Sequence, residues 1–130
     1  GSDLMSDRTR TEKLGVKPGL RVAVMGVKDP VFLAELKEAG AKVAARPGPG
    51  PCEMVVVRLD ALSDLPLLLE AKKRIVPNGM IWAVWPKGRK EFREDDIRHF
   101  GPQAGLVDVK VMAFSDVLSG LKLVIPLALR

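Results

Sequence analysis

Seven residues stand where this chain could hold a ligand: Gly26, Lys28 and Asp29 in one turn, Arg58 and Asp60 in a second, Trp85 and Lys87 in a third. Each group closes a short apolar run, at 21–25, 53–59 and 80–85, that reads as a buried strand. If those strands lie side by side and parallel, the three turns meet at one end of the sheet, where open α/β sheets bind ligands. Two carboxylates, three cations and an indole there suit a small anion. Each residue also has a plainer reading. Asp29 and Asp60 are adequate helix N-caps, Trp85 closes a core, and Lys87 is a solvated loop charge. Caps alone, however, do not require Arg58 and Lys87 nearby.

No catalytic constellation accompanies this cluster. The single His, His99, falls in a charged segment with no Ser beside it, and Ser119 lacks a G-x-S-x-G setting. Cys52 is the one cysteine, so no internal disulfide forms, and a structural zinc site would need about four N/S ligands. We therefore expect no metal and assign no catalytic residue. The charge balance is 21 basic to 16 acidic residues, net +5. The bases are spread along the chain among acids, and the aromatics are four Phe and two Trp. A nucleic-acid surface wants its cations on one face, with aromatics to stack single-stranded bases, so nucleic acid ranks last among the partners.

At 130 residues and 47% hydrophobic, the chain suits one domain with a real core. No apolar run approaches the ~20 residues of a membrane span, and no signal peptide is visible. A cytoplasmic setting is expected from the single thiol. Gly1-Ser2 reads as a tag remnant and Met5 as a plausible start. Residues 1–12 read as remnant and flexible arm, and 13–130 as the domain.

The elements that must position the cluster follow from local signals. Asp29-Pro30 pairs an N-cap with Pro at the first helical position, opening a helix over 31–39 that Gly40 closes. Residues 41–45 form a weaker strand. Three prolines and two glycines make 46–52 a loop. Met54-Val55-Val56-Val57 is the continuous apolar run of a parallel strand covered on both faces. Asp60 or Ser63 is expected to cap the next helix, with Leu67, Leu68, Ala71 and Ile75 as its stripe and Lys72-Lys73-Arg74 in its last turn. Pro77-Asn78-Gly79 reads as a turn, 80–85 as a strand, and 91–100 as an amphipathic helix stopped by Gly101-Pro102. A half-exposed strand over 105–114 alternates Val107, Val109 and Val111 with Asp108, Lys110 and Met112. Residues 115–119 connect it to a last strand over 120–129, which should pair with it antiparallel. The order predicts an α/β, Rossmann-like fold: a mostly parallel sheet, helices on both faces, and a C-terminal antiparallel hairpin, as in a shortened class I methyltransferase.

Three motifs carry a resemblance. Lys13-Leu14-Gly15-Val16-Lys17-Pro18-Gly19-Leu20-Arg21-Val22 precedes and enters the first strand. Pro77-x-Gly79-x-x-Trp82-x-x-Trp85-Pro86-Lys87 spans the fourth. Ala104 to Val111 (Ala-Gly-Leu-Val-Asp-x-Lys-Val) and Ser119-Gly120-Leu121-Lys122 mark the final hairpin. Together they resemble a family of short, uncharacterised bacterial proteins with a truncated methyltransferase-like fold. Where that family often has Trp before the Ser-Gly-Leu-Lys segment, this chain has Leu118. A ligand site lined by that Trp would be altered here.

The methyltransferase fold implies an adenosyl cofactor, which requires a Gly-rich turn after the first strand and an acid at the end of the second. Gly26-Val27-Lys28-Asp29-Pro30 has one glycine, and Arg46 stands where the acid belongs. The expectation is therefore no cofactor, and a module that binds a small anion or a protein partner without catalysis. The alternative is a small-molecule transferase or methyltransferase with an atypical cofactor loop, and weak nucleic-acid binding comes third. Oligomeric state is not readable from the sequence.

Overall fold

The computed structural model describes residues 9–44 and 50–130. Arg46 and most of the Pro/Gly loop lie outside the described residues. Six strands form one sheet in the order β2-β1-β3-β4-β6-β5. Strands β1 (Arg21–Met25), β2 (Lys42–Ala44), β3 (Cys52–Arg58) and β4 (Ile75–Pro86) run parallel. The hairpin β5 (Val107–Ala113) and β6 (Leu118–Val124) is antiparallel, with β6 lying against β4. The expected mixed sheet, its neighbours and the edge position of β2 are all present.

Helices cover both faces. On one, Leu14 of α1 (Arg10–Leu14) and Phe32 and Leu36 of α2 (Pro30–Glu38) pack on Val22, Val24, Met54, Val56, Trp82 and Val84. On the other, Leu68 and Ala71 of α3 (Leu67–Arg74) and Ile97 of α4 (Glu94–Gln103) pack on Val55, Val57, Ile81, Ala83, Leu121 and Leu123. Residues 54–57 are wholly buried because both sides of β3 are covered. Two of the sequence motifs meet through one hydrogen bond: the buried indole of Trp82 donates Nε1–H to the carbonyl of Leu14 at 3.0 Å.

Several local expectations are corrected. Folded structure begins before residue 13. Thr9 and Glu12 form a reciprocal capping box on α1, and Arg10 lies over the rings of Phe32 and Phe114 with its Nε 2.8 Å from Glu35. Neither Asp60 nor Ser63 caps α3. The chain first makes a 3-10 turn (Leu62–Asp64), and α3 follows Pro66 with no side-chain cap. Ile75 belongs to β4 instead of the α3 stripe. The Pro77-Asn78-Gly79 turn sits inside β4 as a bulge, between the pairs Cys52↔Ile75 and Met54↔Met80. A Cβ on buried Gly79 would lie 2.9 Å from the Glu53 carbonyl oxygen, so only glycine lets the bulge close on β3.

Gly101 and Pro102 do not stop α4. They form its last turn, where Pro forfeits one backbone bond, and the reversal comes at Gly105 with φ +75. Lys72 Nζ donates to the Ala104 carbonyl at 2.9 Å and seals that helix end. In β5 the alternating valines do not form a buried face. Val107, Val109 and Val111 are 41%, 52% and 44% exposed, because β5 is the outermost strand and a bulge between Asp108 and Lys110 breaks its alternation. The last strand starts at Leu118, taking in part of the expected connection, and gives way to a 3-10 turn at Leu127–Leu129.

Candidate functional site

Gly26 ends β1 with φ +79, a conformation glycine adopts at no steric cost. A Cβ there would sit 3.4 Å from Arg58 Cβ, so the turns after β1 and β3 are in contact. Arg58 Nε is 2.9 Å from Asp60 Oδ1, and both side chains are more than a third exposed. The Asp60 backbone N–H donates to Asp64 Oδ2 at 2.8 Å, and its carbonyl accepts from Arg89 Nη1 at 3.3 Å. That last bond draws the loop after β4 onto the end of β3. The structure thus assembles Gly26, Arg58 and Asp60 with two residues absent from the sequence-based set, Asp64 and Arg89. Both partner the backbone of Asp60: Asp64 from four residues away, Arg89 from 29, a span that no local pattern marks.

The other candidates separate. Asp29 is a helix cap: its Oδ1 accepts from the N–H groups of Val31 and Phe32 at 3.0 and 3.3 Å. Trp85 is 5% exposed and packs within the core on the α3–α4 face. Lys87 is exposed and fixed through its backbone, whose N–H donates to the Val117 carbonyl at 2.9 Å. Lys28 is likewise exposed. Among the described residues neither Lys28 nor Lys87 has a side-chain hydrogen bond or ion pair. Leu118, the position of the altered Trp, lies opposite Pro86 and is buried on the α1–α2 face.

A cleft of about 400 Å³ opens at the carboxyl end of β1, lined by Val24, Gly26, Val27, Lys28, Pro30 and Leu33. A second, of about 320 Å³, lies beside β1 and β2, lined among others by Arg21, Lys42, Arg74 and Cys52. Burial pushes the Cys52 thiol up from its ordinary pKa. Glu53, beside it, is held below the usual carboxylate range by hydrogen bonds from Arg21. Among the described residues no group of three His, Cys, Asp or Glu side chains could hold a metal ion.

The chain is similar to a SAM-dependent methyltransferase from Aquifex aeolicus, at 14% identity over 95% of this chain and 96% of that one, with a TM-score of 0.66. It is similar to a ribosomal protein L11 methylase from Lactobacillus delbrueckii subsp. bulgaricus, at 14% identity over 88% and 73%, TM-score 0.67. It is also similar to a TehB-like SAM-dependent methyltransferase from Corynebacterium glutamicum, at 10% identity over 96% and 93%, TM-score 0.60. The fold is that of the SAM-dependent methyltransferases. No family model matches the chain, and no curated protein matches it in sequence.

The methyltransferase fold implies S-adenosylmethionine, and the residues present can be tested against it. The β1 turn offers one glycine, and the next residue, Val27, is buried, its side chain part of the α1–α2 core. Strand β2 ends at Ala44, and the sequence from there to Cys52 contains no carboxylate. Glu53, the next acid, is held by Arg21. A backbone cradle needs small residues, and ribose hydroxyls need an acceptor. These residues do not fit the adenosyl cofactor in its usual seat.

Proposed function

We propose that this chain is a methyltransferase-fold module that binds a small anionic ligand at the carboxyl ends of β1, β3 and β4 and performs no methyl transfer. It would stand with the short uncharacterised proteins whose motifs it shares. One observation carries the reading: Lys28 and Lys87, in the loops after β1 and β4, lack a carboxylate partner among the described residues, while the Asp29 carboxylate nearby is occupied in capping α2. Unpaired cations at the end of the sheet where this fold binds ligands supply the field an anion needs. Arg58 adds less, because Asp60 offsets its charge. A cytoplasmic setting belongs to the same proposal, in keeping with the buried free thiol of Cys52.

The structural matches favour a second reading, SAM-dependent methyl transfer through an atypical cofactor turn, since the similarity spans nearly the whole of both chains in two cases. Thermal-shift titration with inorganic phosphate and with S-adenosylmethionine, on wild type and on the Lys28→Ala/Lys87→Ala variant, separates the two. A ligand at 100 times its Kd adds about 2.7 kcal/mol of stability. The anion reading expects a phosphate response that the double variant loses. A low-micromolar Kd for S-adenosylmethionine establishes the second reading instead. Equal phosphate responses, or none in either protein, refute the anion site.

A further inference from the structure

We infer that the ligand is an amphiphilic organic anion, a medium-chain or aryl carboxylate, with its apolar body in the cleft beside β1 and its charge on Lys28. The inference rests on the anion reading above and names the ligand class. Apart from Gly26, the cleft walls are Val24, Val27, Pro30 and Leu33, and Lys28 is its one charged lining residue. Val24 and Val27 are buried and form a fixed floor, while Leu33 of α2 is half-buried and forms a wall. At about 400 Å³ the space falls in the range of small-molecule sites and exceeds what an inorganic anion fills. The nearest carboxylate in sequence, Asp29, has its Oδ1 within 3.3 Å of two helix N–H groups and makes no ion pair with Lys28. An apolar wall with a single cation at its edge matches a molecule with one anionic end and one apolar end. A sugar phosphate or a nucleotide would leave polar groups unpaired against the valines and leucine.

The test titrates butanoate, hexanoate, octanoate and octanamide by calorimetry or NMR shift perturbation, with inorganic phosphate in parallel. Affinity is expected to rise about two- to fourfold for each methylene from butanoate to octanoate, as apolar burial requires. Octanamide should bind about three- to tenfold more weakly than octanoate, and Lys28→Met should abolish that preference. Leu33→Trp, which fills the cleft, should remove the chain-length dependence. Lys28→Met leaves the cleft walls intact, so the charge arm stands if Leu33→Trp misfolds. Equal binding of butanoate and octanoate, or of octanoate and octanamide, overturns the inference. A phosphate response without octanoate binding also overturns it and leaves the anion reading standing. Loss of both responses overturns both.

Discussion

Replacing Asp60 with Asn tests the electrostatics of the crevice with little damage to its frame. The Asp60 side chain has one contact of consequence, with Arg58 Nε at 2.9 Å, and the pair is 35% and 46% exposed. Exposed pairs of this kind are worth about 0–1 kcal/mol after solvent screening, so the variant should lose no more than that. The bonds that hold the loop come from the Asp60 backbone, to Asp64 Oδ2 and from Arg89 Nη1, and Asn keeps them. What changes is one negative charge. For an anion bound beside Arg58, roughly 6 Å from that carboxylate, the repulsion would be about 0.7 kcal/mol per unit ligand charge at the dielectric of water. Removing it should tighten phosphate binding about threefold per unit of ligand charge at low ionic strength. The gain should shrink toward 0.15 M salt, where the screening length is about 8 Å. Calorimetric titration of both proteins at fixed low and physiological ionic strength measures this. Unchanged or weaker binding by the Asn variant would refute the argument that Asp60 opposes an anion there.

Other outcomes follow from the frame. Trp82→Phe strands the buried Leu14 carbonyl and leaves a void, and should cost about 2–4 kcal/mol by chemical denaturation; a loss under 1 kcal/mol would mean the indole bond is dispensable. Gly79→Ala sets a Cβ 2.9 Å from the Glu53 carbonyl oxygen and should destabilise by more than about 1 kcal/mol, whereas exposed Gly50, with open space around it, should accept Ala within about 0.5 kcal/mol. Glu53 titrates below its ordinary range when folded. Its contribution is therefore complete above the unfolded-state value and disappears as pH falls through the folded one. Denaturation midpoints of wild type and Glu53→Gln should differ at pH 7 and converge in acid; a constant gap would contradict the Arg21 pairing. Cys52, buried and with its thiol pKa raised, should react with a thiol reagent at pH 8 far more slowly than in denaturant, and equal rates would show that it is accessible.

The layers of this molecule were readable from residue order because their signals are local. Asp29-Pro30 starts α2 through bonds to Val31 and Phe32, two and three residues away. The valine run of β3 declares a strand covered on both faces, and alternation of strands with helices leaves few topologies open. Because β1, β3 and β4 run parallel, the turns that end them share one end of the sheet. Which side chains act together in those turns was decided only in three dimensions. Asp60 carries a good capping residue's chemistry, yet Arg58 is close enough to claim its carboxylate, and α3 starts seven residues later without a cap. Trp85 lies inside β4, on the face it shares with Ile81 and Ala83, and so packs into the α3–α4 core, whereas Lys87 stands past the strand end and is exposed. Arg89 reaches the site through a bond spanning 29 residues, and Trp82 joins α1 to β4 across 68. A propensity describes what a residue's own neighbours favour. The partner that wins a charge or a hydrogen bond is the one the packed sheet brings within about 3 Å, and that distance exists only after the fold has formed.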